Sequence, residues 1–213
     1  MSSPGFAVPP RSAMRDSGAS DSLPGTMQIR LARRDDAELL LGLIAELADY
    51  ERLSESVQGD TELLATSLFD RGAAEALIAE VDGEAVGYAV LFQTFSTFEC
   101  RPGLWIEDLF VRPARRRCGL GRALFDHIAG LARDRGCARV EWAVLDWNEP
   151  ALRFYESLDA TRVDGWRTLR LEGEALERMA LRRTTGGGPD GPPATAAERS
   201  DRRNATLRPG SPG

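Results

Sequence analysis

From Val111 to Leu124 the chain reads Val-Arg-Pro-Ala-Arg-Arg-Arg-Cys-Gly-Leu-Gly-Arg-Ala-Leu, residue types and a spacing that can hold an anion. Glycines let the backbone approach a ligand closely, and the free N–H groups and dipole at a helix start favour negative charge. Arg115, Arg116 and Arg117 add charge-assisted donors suited to phosphate. Leu124 stands where a dinucleotide fingerprint needs its third glycine, and no Gly-Lys-Ser/Thr is present, so neither that fingerprint nor a P-loop is indicated. A solvated arginine loop with two helix-start glycines gives the same string. Just upstream stand two adjacent acids, Glu107 and Asp108, which either edge a sheet or line a cleft. Cys118 sits at the helix start, where a thiol pKa falls. His127, the single histidine, lies mid-helix away from these groups.

The elements that must position these residues alternate between strand and helix patterns. Gln28–Leu31 reads as a short strand, and Asp35 and Asp36 open a helix to about Glu51 with Leu40, Leu43, Ile44 and Leu47 at helical spacing. A short helix is predicted over Asp60–Phe69. Ala76–Val81 and Ala85–Phe95 flank Asp82-Gly83, a hairpin signal. Gly103–Val111 is a strand stopped by Pro113, and Gly119–Arg135 a helix with Leu120, Leu124, Ile128 and Leu131 on one face. Arg139–Val144 reads as a buried strand, and Pro150–Leu158 as a helix with Pro in its first turn. Trp166–Leu171 reads as a last strand, followed by a short helix over Glu174–Ala180. This order implies an α/β fold with a mixed, partly antiparallel central sheet flanked by helices.

All 27 basic residues are arginine, set against 33 acids for a net charge of −6, and there is no lysine to form a Schiff base. Residues 27–180 carry 19 Arg against 28 acids, whereas residues 181–213 carry six Arg against three. The acidic balance argues against nucleic acid as a partner. No apolar run approaches the roughly 20 residues of a membrane helix, and residues 1–26 show no apolar signal segment. Cys100, Cys118 and Cys137 lack Cys-x-x-Cys spacing, which suits a reduced cytoplasm and offers no zinc site. The Gly- and Pro-rich stretches 1–26 and 181–213 have too few apolar residues to offset ordering entropy, so both are expected to be disordered around a folded region 27–180.

Arg116-x-x-Gly119-x-Gly121 follows a strand reading Ile106-Glu107-Asp108-Leu109-Phe110-Val111. Downstream stand Asp146-Trp147-Asn148-Glu149-Pro150, then Phe154-Tyr155 and Gly165-Trp166-Arg167. With Glu46-Leu47-Ala48-Asp49-Tyr50-Glu51, these strings resemble the Gcn5-related N-acetyltransferase (GNAT) family over about residues 27–180, and within it the spermidine/spermine (diamine) group. The resemblance implies a three-layer αβα fold and acetyl-CoA as co-substrate, without a metal. Its pyrophosphate would lie on Arg116, Arg117, Cys118, Gly119, Leu120, Gly121 and Arg122, its pantetheine arm along Leu109, Phe110 and Val111, and Asn148 would add a polar contact. Tyr155 would give a proton to the leaving thiolate. Glu107 would take one from the amine through water, since only a neutral amine attacks a thioester. A backbone N–H of strand 106–111 would hold the oxyanion. Asp108 and Asp164, with Tyr50 and Glu51, match the group's amine-binding acids and their neighbours, Asp164 standing in place of a Glu, and Trp166 is a further candidate contact. The family pattern also implies a homodimer.

The implied reaction is direct acetyl transfer to a small cationic amine: a diamine, polyamine or lysine-like amino acid such as thialysine. A protein or peptide acetyltransferase and a non-catalytic acyl-CoA-binding module are the alternatives. Read one by one, Trp166 could stack a cation or fill a strand core, and Tyr155 interrupts an otherwise apolar helix face. The chain departs from the pattern where Arg117 and Asp159 stand in place of glycines, and where Ser157 and Leu158 replace two arginines.

Overall fold

Apolar alternation and tight turns generate a five-stranded sheet. The computed structural model describes residues 25–185. Strand β1 spans Met27–Leu31, β2 Glu75–Val81, β3 Glu84–Ser96, β4 Arg101–Val111 and β5 Val140–Trp142. They lie in the order β1-β2-β3-β4-β5, antiparallel except for the parallel β4/β5 pair. Asp82 (φ 52°) and Gly83 (φ 81°) make the β2/β3 turn, whose left-handed residues match the twist of the paired strands. Helix α1 spans Ala37–Tyr50, α2 Thr61–Ala65, α3 Leu120–Asp134, α4 Glu149–Glu156 and α5 Gly173–Thr185. Asp60 caps α2 by accepting from the Leu63 N–H at 2.8 Å. The helix expected over Asp60–Phe69 is α2 followed by a π-helical turn, Thr66–Asp70.

Neighbouring residues on each strand face opposite layers. Leu77, Leu91, Leu104 and Ile106 pack with Leu120, Leu124 and Ile128 of α3. Ile78, Tyr88 and Phe110 pack with Leu40 and Leu43 of α1. The sheet is thus sandwiched between helices, the three-layer α/β arrangement expected. Arg112, just beyond β4, ties down α1: its guanidinium binds Glu46 through Nε and Nη2 and donates to the Ala85 carbonyl at 2.8 Å.

β3 and β4 meet closely at Gly87. A Cβ there would lie 2.6 Å from the Phe110 carbonyl oxygen and 3.3 Å from Val111 Cα, both backbone atoms that cannot turn aside. Gly87→Ala is expected to cost about 2 kcal/mol by forcing the strands apart, read as a lower Tm in thermal unfolding.

The described residues fall into two compact units that divide between Phe154 and Tyr155. The first holds the sheet with α1, α2 and α3. The second holds the end of α4, an irregular stretch and α5. The strand expected over Trp166–Leu171 is not formed: these residues are irregular and exposed, with Trp166 at 79% and Leu169 at 91%. A short apolar run becomes a strand only with a partner edge, and no pairing forms here among the described residues. β5 is likewise half-buried and shorter than the expected Arg139–Val144. α5 runs on to Thr185, past the expected fold boundary at 180. The expectations for 1–24 and 186–213 lie outside the described residues.

Candidate active site

The site is built by an irregularity in β4. Val90 pairs with Asp108 but the next residue, Leu91, pairs with Ile106, leaving Glu107 as an extra residue without a register partner. Such a bulge breaks strict alternation. Ile106 and Leu109, three apart, therefore both pack on the α3 layer, while Phe110 packs on the α1 layer. Glu107 accepts from Trp105 Nε1 at 3.0 Å, and Asp108 accepts from the Tyr88 hydroxyl at 3.1 Å. Two consecutive acids are turned toward the layer that carries Tyr50 and Glu51 at the end of α1. Glu107 is exposed, whereas Asp108 and Glu51 are half-buried.

Burial pushes the Asp108 carboxyl above its ordinary range; the Tyr88 hydroxyl opposes this by bonding the anion, and the neighbouring Glu107 charge adds to it. Glu51 is raised by burial and then by the charge of Asp108. Arginine ion pairs are frequent in this protein, yet neither acid has one among the described residues. The local field is negative, as a cationic substrate would require.

β4 and β5 pair only from Leu104/Val140 to Ile106/Trp142. Beyond that point the outer edge of β4, through Leu109, Phe110 and Val111, has no strand beside it among the described residues. An open edge presents backbone N–H and C=O groups to an extended ligand. Where β4 ends, the chain turns through Pro113–Arg115 into α3. Gly119 caps α3 at φ 88°, with no side-chain cap bond. The first N–H groups of a 15-residue helix therefore lack an intrahelical partner, which suits an anion. Arg117, Cys118 and Arg122 are exposed around this turn, and Leu120 is buried in the core. Gly121 sits against Phe154, whose ring atom would be 3.3 Å from a Cβ.

Arg116 turns back from the loop. Its Nε donates to the Val111 carbonyl at 2.9 Å, and its guanidinium lies 4.3 Å from the Tyr50 ring centroid. The Tyr50 hydroxyl reaches Asn148 Oδ1 at 3.4 Å. Asn148, buried at 8%, also accepts from the Ala151 N–H at 3.3 Å, which caps α4. A cleft of about 280 Å³ opens beside Tyr50, lined by Glu46, Asp49, Tyr50, Phe110 and Pro113. A slightly larger hollow of about 330 Å³ lies by Arg101, Ala132 and Arg139, away from these groups, and its Arg139 is held by Glu141 and Glu99.

In the second unit, Tyr155 stands in the last turn of α4, and Asp164 and Trp166 lie in the exposed stretch beyond it. Asp159 adopts φ 60°, with its N–H bonded to the Glu156 carbonyl and the Ala160 N–H to that of Tyr155. This is the Schellman ending that glycine ordinarily supplies. Arg117 is left-handed too, at φ 64°. Both glycine departures thus fall at positions that favour glycine. Sequence reasoning missed Tyr88 and the Arg112–Glu46 tie. The signal for Tyr88 was a phenol inside the apolar run Val86–Val90, where a buried hydroxyl needs a partner.

The donor set fits the anionic co-substrate of the resemblance: uncapped helix N–H groups, exposed arginine and an open strand edge. Among the described residues, no cluster of His, Cys, Asp and Glu could hold a metal, and no helix is long and apolar enough to cross a membrane.

The sequence profile described as the acetyltransferase (GNAT) family matches residues 43–159. Thialysine N-epsilon-acetyltransferase of Caenorhabditis elegans is 39% identical over 68% of this chain and 92% of its own length. Its Bos taurus namesake is 36% identical over 72% of this chain and 97% of its own length. An integron cassette protein of V. cholerae shares the fold with a TM-score of 0.62 at 24% identity, covering 72% of this chain and 97% of that one. Profile, relatives and fold agree with the geometry of β4 and α3: the chain belongs to the acetyltransferase (GNAT) family.

Proposed function

We propose that this enzyme transfers the acetyl group of acetyl-CoA to a primary amine of a small cationic molecule, a diamine, a polyamine or a lysine-like amino acid. The observation that carries this reading is the bulge at Glu107, which leaves Glu107 and Asp108 both turned toward the layer of Glu51, with no arginine ion-paired to any of the three among the described residues. Relatives named for thialysine and for L-ornithine, the latter from Arabidopsis thaliana and 39% identical over 46% of this chain, support a small amine.

Acetyl-CoA supplies the activated acyl thioester. The N–H groups at Gly119–Gly121, with Arg117, Cys118 and Arg122 around them, bind its phosphates, while Arg116 braces the turn against the Val111 carbonyl and the Tyr50 ring. The edge of Leu109–Val111 aligns the pantetheine arm, and Asn148 adds a polar contact. Asp108 and Glu51 accept the charged end of the substrate, with Tyr50 beside them and Asp164 and Trp166 as further contacts. Glu107 takes a proton from the attacking nitrogen through water, and its exposure leaves that water access. Tyr155 holds a proton at Oη for the departing sulfur. The same reading includes a cytoplasmic homodimer whose partners are small amines rather than nucleic acid or membrane.

A panel of diamines, polyamines, ornithine, lysine and thialysine, assayed by thiol release from acetyl-CoA, tests the proposal. Turnover is expected with at least one cationic amine. Turnover on peptide N-termini alone would overturn it.

A further inference from the structure

We propose that Tyr88 is a positioning residue for the amine site: its hydroxyl holds one oxygen of Asp108 so that the other is presented to a single ammonium group. This rests on the reading of Asp108 as an amine acceptor.

Tyr88 cannot touch substrate itself, because its side chain is fully buried at 0% exposure. It lies opposite Phe110 in the β3/β4 register, with Asp108 on the diagonal opposite Val90. Long side chains reach diagonal neighbours, but only on a shared face. The pairing is regular from Tyr88/Phe110 to Val90/Asp108, so alternation puts Tyr88 and Asp108 on one face, and the bulge at Glu107 begins only beyond Asp108. The hydroxyl then donates to Oδ2 of Asp108 at 3.1 Å, the one hydrogen bond this carboxylate makes among the described residues. The ring leans on Phe110, centroids 6.2 Å apart, which fixes the direction of the hydroxyl.

The donor's chemistry suits the task. A buried hydroxyl costs free energy unless it is bonded, so phenylalanine would serve the core equally well, and the oxygen needs another reason to be there. An arginine at this place would neutralise the acid that must meet the substrate. A neutral phenol orients the carboxylate and leaves its charge intact. The charged groups facing Asp108 are Glu107 beside it on β4 and Glu51 from the end of α1, both of the same sign. Tyr88 is therefore the group that favours the ionised form of Asp108, while its own ionisation is pushed upward chiefly by burial.

The test is Tyr88→Phe, checked for folding by circular dichroism. The KM for the amine is expected to rise about 10-fold, with kcat and the KM for acetyl-CoA changed less than about twofold. The acid limb of kcat/KM moves to higher pH, because loss of the donor lets Asp108 protonate earlier. In an Asp108→Asn background the same substitution adds nothing. A second readout needs no substrate: the carbon-13 NMR titration midpoint of the Asp108 carboxyl rises in Tyr88→Phe. It falls when Tyr88 is replaced by 3-fluorotyrosine, a stronger donor. An unmoved midpoint in both, or an equal penalty in the Asp108→Asn background, overturns the proposal. A parent enzyme that acetylates no amine overturns the functional reading instead, and the NMR midpoints then decide Tyr88 alone.

Discussion

Tyr155→Phe is expected to lower kcat about 100-fold or more, the span over which a positioned general acid acts. The substitution removes one oxygen and leaves the ring, so the last turn of α4 keeps its packing. Bonds at both ends of the helix secure that turn. Asn148 caps the helix start, and at its end the N–H groups of the left-handed Asp159 and of Ala160 bond the carbonyls of Glu156 and Tyr155. The loss should therefore fall on kcat, with the KM for either substrate little changed and the Tm within about 2 °C of the parent. A more acidic leaving thiol should suffer least, since it needs the proton least. Steady-state rates with acetyl-CoA across the pH range provide the check. Full activity at every pH would remove Tyr155 from the mechanism.

Asp108→Asn is expected to raise the KM for the amine about 30-fold or more, the weight of a charge-assisted hydrogen bond at about 2 kcal/mol. The asparagine keeps the shape and can still accept from Tyr88, so the effect isolates the charge. The pH dependence fixes its sign. Burial raises the Asp108 pKa, so the anion is present above that raised value and is lost as the pH falls through it. The parent's amine KM should climb on the acid side at a higher pH than an ordinary carboxylate would give. In Asp108→Asn the KM should already be high and no longer follow that limb. Glu51 titrates nearby in the same direction, so Glu51→Gln serves as the control that separates the two acids.

The strands β1 to β4 were legible because each carries a run of apolar side chains ended by a turn the sequence spells out, above all Asp82-Gly83. The turn proposed to bind phosphate was legible as a turn because its glycines mark a backbone need, and Gly119 does adopt φ 88°. What stayed hidden depends on partners. Trp166–Leu171 has a strand's composition but no paired edge among the described residues, and β5 stops where β4 leaves it. Glu107 and Asp108 were singled out as adjacent acids. Ordinary alternation would have sent them to opposite faces, and only the β3 register reveals that it does not. Tyr88 was passed over because an aromatic in an apolar strand reads as filler until its hydroxyl is seen on Asp108.

The bulge makes the chemistry of this enzyme a question of parity. One residue more or less between Ile106 and Leu109 leaves composition, charge and core volume nearly unchanged. An even count between them puts both on the α3 layer only if one residue stands outside the register, and Glu107 is that residue. Deleting Glu107 would therefore straighten the strand: Ile106, Asp108 and Leu109 would alternate strictly, with Asp108 still on the face of Tyr88 and Leu109 still on the α3 layer. The fold should tolerate that deletion, and only the second acid would be lost. An insertion in the same window has no such remedy, because a second residue would have to leave the register.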